Sequence, residues 1–147
     1  MIIRNRSAVF VMIAFLILSS LNGLSCKPFP SKTLRQVDPA YPTLAKEIRE
    51  VLLKDNPKII VIGTGLCDNC KIVENTVETY HKTHPELPIT WLVYNQYQDR
   101  ATFQYFQVTV SPTTFFIDRN NLIQTKLIGA FYEDVYEETL RSVHFID

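Results

Sequence analysis

Cysteine is scarce, with three in 147 residues. That is too few for a disulfide-scaffolded miniprotein, so the fold must rest on buried apolar surface and any thiol chemistry must be local. Four glycines and eight prolines exclude a collagen-like or linker-like chain. Charge of one sign is absent too: fifteen Lys and Arg balance fifteen Asp and Glu. With no basic excess to neutralise a phosphate backbone, nucleic acid is not an expected partner. What is present, 46% hydrophobic and 12% aromatic residues, is enough for one ordinary globular domain and excludes disorder as the dominant state.

A comfortable membrane span is also lacking at the N-terminus. Arg4 and Arg6 precede an uncharged apolar run from Ala8 to Leu21, shorter than the roughly 20 residues a bilayer requires but right for the core of an export signal. Gly23-Leu24-Ser25-Cys26 puts small residues where signal peptidase needs them, so a signal peptide is expected over residues 1–25, with cleavage before Cys26. A cysteine immediately after the cut makes Cys26 a candidate lipidation site and membrane tether, although Gly23 and Leu24 depart from the usual bacterial lipobox. A soluble periplasmic or secreted protein and an uncleaved anchor are the alternatives. All three readings place the domain outside the cytosol, in the periplasm, the cell envelope or beyond. Without the two arginines, thirteen basic and fifteen acidic residues remain, so no electrostatic docking to a membrane is implied.

Residues 26–42 contain Pro28, Pro30, Pro39 and Pro42 with little apolar periodicity, which predicts an extended proline-rich tether without a core. The main domain is expected over 43–147. A helix is predicted behind a Thr43 cap, with Leu44, Ile48, Val51 and Leu52 at helical spacing, stopped by Asp55-Asn56-Pro57. Lys58 to Ile62 reads as a strand buried on both faces. Cys67 to His81 reads as a helix, Ile89 to Tyr94 as a strand, and Asp99 as the cap of a short helix. Thr113–Ile117 and Leu122–Ile128 flank Asp118-Arg119-Asn120-Asn121 as an antiparallel hairpin, and Glu133 to Val143 forms the last helix. The order implies an α/β fold, a central mixed β-sheet flanked by helices on both faces.

Cys67-Asp68-Asn69-Cys70 follows a buried strand and opens a helix. Free backbone N–H groups and the helix dipole there favour an anion, so Cys67 suits a thiolate nucleophile. Cys70, nearly one turn on, can resolve a mixed disulfide by intramolecular attack and is expected to be the more buried thiol. Asp68 opposes the dipole, which predicts a less acidic Cys67 and a more reducing couple than in strong oxidants.

Over residues 43 to 143 the sequence resembles the thioredoxin family. Lys71 follows the second cysteine, Val110-Ser111-Pro112-Thr113-Thr114-Phe115-Phe116-Ile117-Asp118 is similar to the family's cis-proline segment, and Ile128-Gly129-Ala130 is similar to its turn into the final helix. The resemblance implies a thioredoxin-like fold, a cis Pro112 packed on the disulfide, and a Ser111 backbone that pairs with an extended substrate segment. It implies a protein-disulfide oxidoreductase that needs no cofactor and works with protein thiol or disulfide substrates and a redox partner protein. The chain departs from the pattern at Leu66, where tryptophan is usual, at Asp68-Asn69 for Gly-Pro, and at Val61 for a buried aspartate. These departures keep open a thioredoxin-fold binding or metal-delivery module with a structural or ligand CxxC. His81 and His84 follow at C-x2-C-x10-H-x2-H, near but not matching a zinc-finger spacing, so no metal ligand is assigned. Trp91, Tyr94, Tyr97, Phe103 and Phe106 are expected mainly in the core.

Overall fold

The computed structural model describes residues 35–147; the signal peptide expected over 1–25, the candidate lipidation site Cys26 and the first part of the expected tether lie outside the described residues. Five strands and four helices follow in the order β1 (Arg35–Gln36), α1 (Lys46–Leu52), β2 (Lys58–Ile62), α2 (Asp68–Thr83), β3 (Thr90–Tyr94), α3 (Arg100–Phe106), β4 (Thr113–Ile117), β5 (Leu122–Ile128) and α4 (Glu133–Ser142). The strands form one sheet in the spatial order β1-β5-β4-β2-β3. Among the described residues only β2 and β3 run parallel; the other pairs are antiparallel, as the expected mixed sheet requires.

β2 is an interior strand between β4 and β3, and all five of its residues are buried. Its alternation splits the core in two. Ile60 and Ile62 pack with Ile48, Val51 and Leu52 of α1 and Phe106 of α3 on one face. Ile59 and Val61 pack with Val73, Val77 and Tyr80 of α2 and with Tyr136 and Leu140 of α4 on the other. Each fully buried Val, Ile or Phe contributes about 1.5–3 kcal/mol, so a strand with no exposed side anchors the core on both faces of the sheet.

The bounds of β2, β4 and β5 agree with the sequence reading, and the β4–β5 turn shows why. Asp118 Oδ1 accepts from the Asn120 and Leu122 amides at 2.8 and 2.9 Å, and Asn121 adopts a left-handed φ of 61°. Buried Lys58 reaches the same turn from β2 and donates from Nζ to the Asp118 and Arg119 carbonyls, each at 3.2 Å.

Two expectations need correction. Thr43 does not cap α1: the helix starts three residues later behind Ala45, which makes no side-chain cap bond. The Ala45 amide instead donates to Thr102 Oγ1 at 3.5 Å, so tertiary contact sets the start. The tether, expected to contribute no core, is partly built into the domain. Arg35 and Gln36 pair with Ile123 and Leu122, Val37 is buried, and its amide donates to the Asn121 carbonyl at 2.7 Å. Tyr105 Oη accepts from the Asp38 amide at 2.7 Å and fixes the next residue.

Candidate functional site

The register decides which loops meet. Ile62 at the end of β2 pairs with Tyr94 at the end of β3 and with Thr113 at the start of β4, and Thr113 pairs with Ile128 at the end of β5. The segments Gly63–Cys67, Asn95, Ser111-Pro112 and Gly129 therefore converge at one end of the sheet. Gly63 and Gly65 make the close approach there feasible. A Cβ on Gly63 would lie 2.8 Å from Asn95 Oδ1 and 3.5 Å from Cys70 Sγ, and Gly65 has a φ of 70°.

Cys67 caps α2 and is disulfide-bonded to Cys70, with Cα atoms 5.2 Å apart. The Cys70 amide donates to Cys67 Sγ at 3.1 Å, a free N–H of the first helical turn aimed at the first sulfur. The two sulfurs differ in exposure as expected. Cys67 is half-buried, whereas Cys70 is 2% exposed against the core. Asp68 is exposed and lies 3.9 Å from the Lys71 amine, a solvent-screened pair that adds little stability.

The Ser111–Pro112 peptide bond is cis, and Pro112 is buried. Ser111 Oγ lies 3.7 Å from Cys70 Sγ, and Thr64 Oγ1 lies at the same distance. The Pro112 carbonyl accepts from the Gly129 amide at 2.9 Å, which joins the loops before β4 and after β5. Leu66 and Val110 on the loops and Ile128 at the end of β5 are exposed apolar side chains. The fold thus brings Cys67, Cys70, Ser111 and Pro112 together. Thr64 is not singled out by the sequence, because a lone threonine in a loop after a strand carries no local signal of a sulfur neighbour.

The histidines are not part of this assembly. His81 follows Cys70 by eleven residues of helix, about 16 Å of axial rise, and its Nε2 is 2.9 Å from Tyr136 Oη in the core. Burial, with a smaller contribution from His84, lowers its pKa to about 4. Among the described residues no group of three His, Cys, Asp or Glu side chains is placed to hold a metal ion. Of the aromatics assigned to the core, Tyr94 and Phe106 are buried, Trp91 and Phe103 are half-buried, and Tyr97 is exposed.

No protein-family model matches the sequence, and no curated protein matches it. Solved structures do match. Mitochondrial thioredoxin 3 from Saccharomyces cerevisiae, in its oxidized form, aligns at 19% identity and a TM-score of 0.56 over 65% of this chain and 87% of that one. Chloroplastic thioredoxin z aligns at 12% identity and a TM-score of 0.58, over 69% and 91%. Thioredoxin 2 from Pseudomonas aeruginosa PAO1, in its reduced form, aligns at 21% identity and a TM-score of 0.51, over 64% and 84%. Strand order, the disulfide at the start of α2, the cis proline opposite it and these superpositions agree: this chain has the thioredoxin fold.

Proposed function

We propose that this protein is an extracytoplasmic thiol–disulfide oxidoreductase that exchanges disulfides with protein substrates through Cys67 and Cys70. The observation that carries the reading is the asymmetry of the pair: one half-buried cysteine at a helix N-terminus and a second, buried cysteine one turn on. In the reducing direction the Cys67 thiolate attacks a substrate disulfide and one substrate thiolate leaves. Cys70 then attacks Cys67 Sγ, the second substrate thiolate leaves, and the substrate disulfide is reduced while Cys67–Cys70 is oxidised. An oxidising cycle is the reverse.

Exposed Leu66, Val110 and Ile128 offer apolar contact beside Cys67, and the Ser111 backbone next to Pro112 is the candidate edge for an extended substrate segment. A redox partner protein recycles the couple. The signal-like residues 1–25 and Cys26 support export, with lipid attachment at Cys26 as the candidate tether.

The test is glutathione equilibration of the chain, together with a Cys70→Ser variant that traps mixed disulfides on Cys67. A reversible couple between about −300 and −120 mV with trapped protein partners supports exchange, its value giving the direction. A pair that stays oxidised and traps nothing refutes it and favours a binding scaffold with a structural disulfide. Alkylation against pH gives the nucleophile: Asp68 predicts a Cys67 pKa above about 6.

A further inference from the structure

The buried sulfur has unusual company. Where the family resemblance leads one to expect a carboxylate below the pair, β2 carries Val61, 1% exposed and packed among apolar side chains. A buried thiol in apolar surroundings ionises reluctantly. Yet Cys70 must become a thiolate before it can attack Cys67 Sγ in a mixed disulfide.

Two hydroxyls from separate segments flank this sulfur. Thr64 comes from the β2–α2 loop and Ser111 from the loop before β4, each with its oxygen 3.7 Å from Cys70 Sγ. Thr64 Oγ1 also accepts from the Leu66 amide at 3.5 Å, which engages an oxygen lone pair and leaves its hydrogen free for the sulfur. The amide at the start of α2 is directed at Cys67, not Cys70. Asn95 lies against Gly63 in the same loop cluster, and Glu74 is reached through it. Glu74 is one turn beyond Cys70 on α2, and its Oε2 accepts from Asn95 Nδ2 at 3.4 Å. Asp68 and Lys71 are paired at the surface.

We propose that Thr64 and Ser111 are positioning residues that ready Cys70 for the resolving step by donating two O–H hydrogen bonds to its thiolate. This rests on the proposed exchange function and adds how the second thiol is ionised without an acid–base side chain at position 61. The Cys70 proton passes to water, the two hydroxyls hold the resulting charge, and the thiolate forms the Cys67–Cys70 bond as the substrate thiolate leaves with the electron pair of the broken bond. Both hydroxyls stay protonated throughout, so they lower the cost of the anion and consume nothing.

The test reads Cys70 itself. In the full chain carrying Cys67→Ser, the Cys70 pKa is followed by NMR through its Cβ chemical shift, which distinguishes it from Cys26. Thr64→Val and Ser111→Ala should each raise it by about one unit, because each removes a hydrogen bond that favours the charged form of the sulfur. With Cys67 restored, the glutathione mixed disulfide on Cys67 should persist about three- to fourfold longer at neutral pH in either variant, because the roughly tenfold loss of thiolate is partly offset by the greater nucleophilicity of the more basic sulfur. Thr64→Ser should restore both values, which a packing role for the threonine methyl would not.

An unchanged Cys70 pKa in Thr64→Val and Ser111→Ala, with melting temperatures preserved, overturns the proposal. So does a Glu74→Gln variant that alone moves the pKa, by lowering it, since the control would then lie with that carboxylate. Ionisation of Cys70 is read with no substrate present. Failure here is therefore separate from failure of the exchange reading, which the reduction potential and trapping experiment decide.

Discussion

Val61 and Thr114 face each other across the antiparallel β2–β4 pair, and the Thr114 hydroxyl is buried there without a hydrogen-bond partner among the described residues. A desolvated, unpaired hydroxyl costs about 1–3 kcal/mol, and valine has nearly the same shape. Thr114→Val should therefore stabilise the domain by about 1 kcal/mol, raising the melting temperature by roughly 4 °C in a domain of this size. Calorimetry checks this; a lower melting temperature would show that the hydroxyl is bonded to a buried water.

His81 makes stability depend on pH. Burial holds its pKa near 4 in the folded protein against an ordinary 6.5, with the neutral ring within hydrogen-bond distance of Tyr136 Oη and stacked on Trp91. The unfolded chain binds the proton more readily, so the contribution is fully present above about 6.5, falls through the window down to about 4, and is gone below it. The loss amounts to at most roughly 3 kcal/mol. Urea unfolding at a series of pH values should show that slope, and His81→Phe should flatten it.

Gly65 is required by its backbone. Its φ of 70° lies in the left-handed region, and a Cβ would meet Asn95 Cβ at 3.1 Å. Gly65→Ala should cost about 1–2 kcal/mol in urea unfolding, and Gly65→Asn less, since asparagine tolerates that region better. Equal losses would show that crowding by Asn95, not φ, dominates.

Asp99 serves two elements. Oδ1 accepts from the Thr102 amide at 3.1 Å and caps α3, while Oδ2 accepts from the Tyr94 phenol at 2.6 Å and ties the helix to the end of β3. Burial opposes its ionisation, but the hydrogen bonds from Thr102 and Tyr94 hold its pKa below the ordinary carboxylate value. Asp99→Ala should cost about 1–2 kcal/mol, and Asp99→Asn, which keeps an acceptor for the cap, distinctly less. Equal costs would mean that the charge, not the cap, carries the effect.

Much of this architecture was legible because its signals are local. The β-branched run 58–62, the Asp-Arg-Asn-Asn turn and the Asp99 cap each state their structure within a few residues, and the family resemblance supplied the cis form of Pro112, which no local signal gives. The misses arose where distant segments decide. Arg35 and Gln36 join the sheet through backbone bonds to β5, which need no particular side chain, and a single Val37 shows no periodicity. The start of α1 follows from contact with Thr102, 57 residues away. Thr64 and Ser111 meet at Cys70 only because the β2–β4 register brings their loops together, so neither residue announces its neighbour in the sequence.

Lys58, with no exposed surface on the interior strand β2, turns an ordinary protease site into a reporter of global opening. Trypsin needs an extended, accessible segment around a lysine, and this one is hydrogen-bonded on both sides and capped at its amine by the β4–β5 turn. Native-state digestion should therefore reach exposed Lys46 and Lys82 well before the Lys58–Ile59 bond. Cleavage at Lys58 should track the unfolded fraction across a urea series, giving a gel-based measure of whole-domain stability for every variant above.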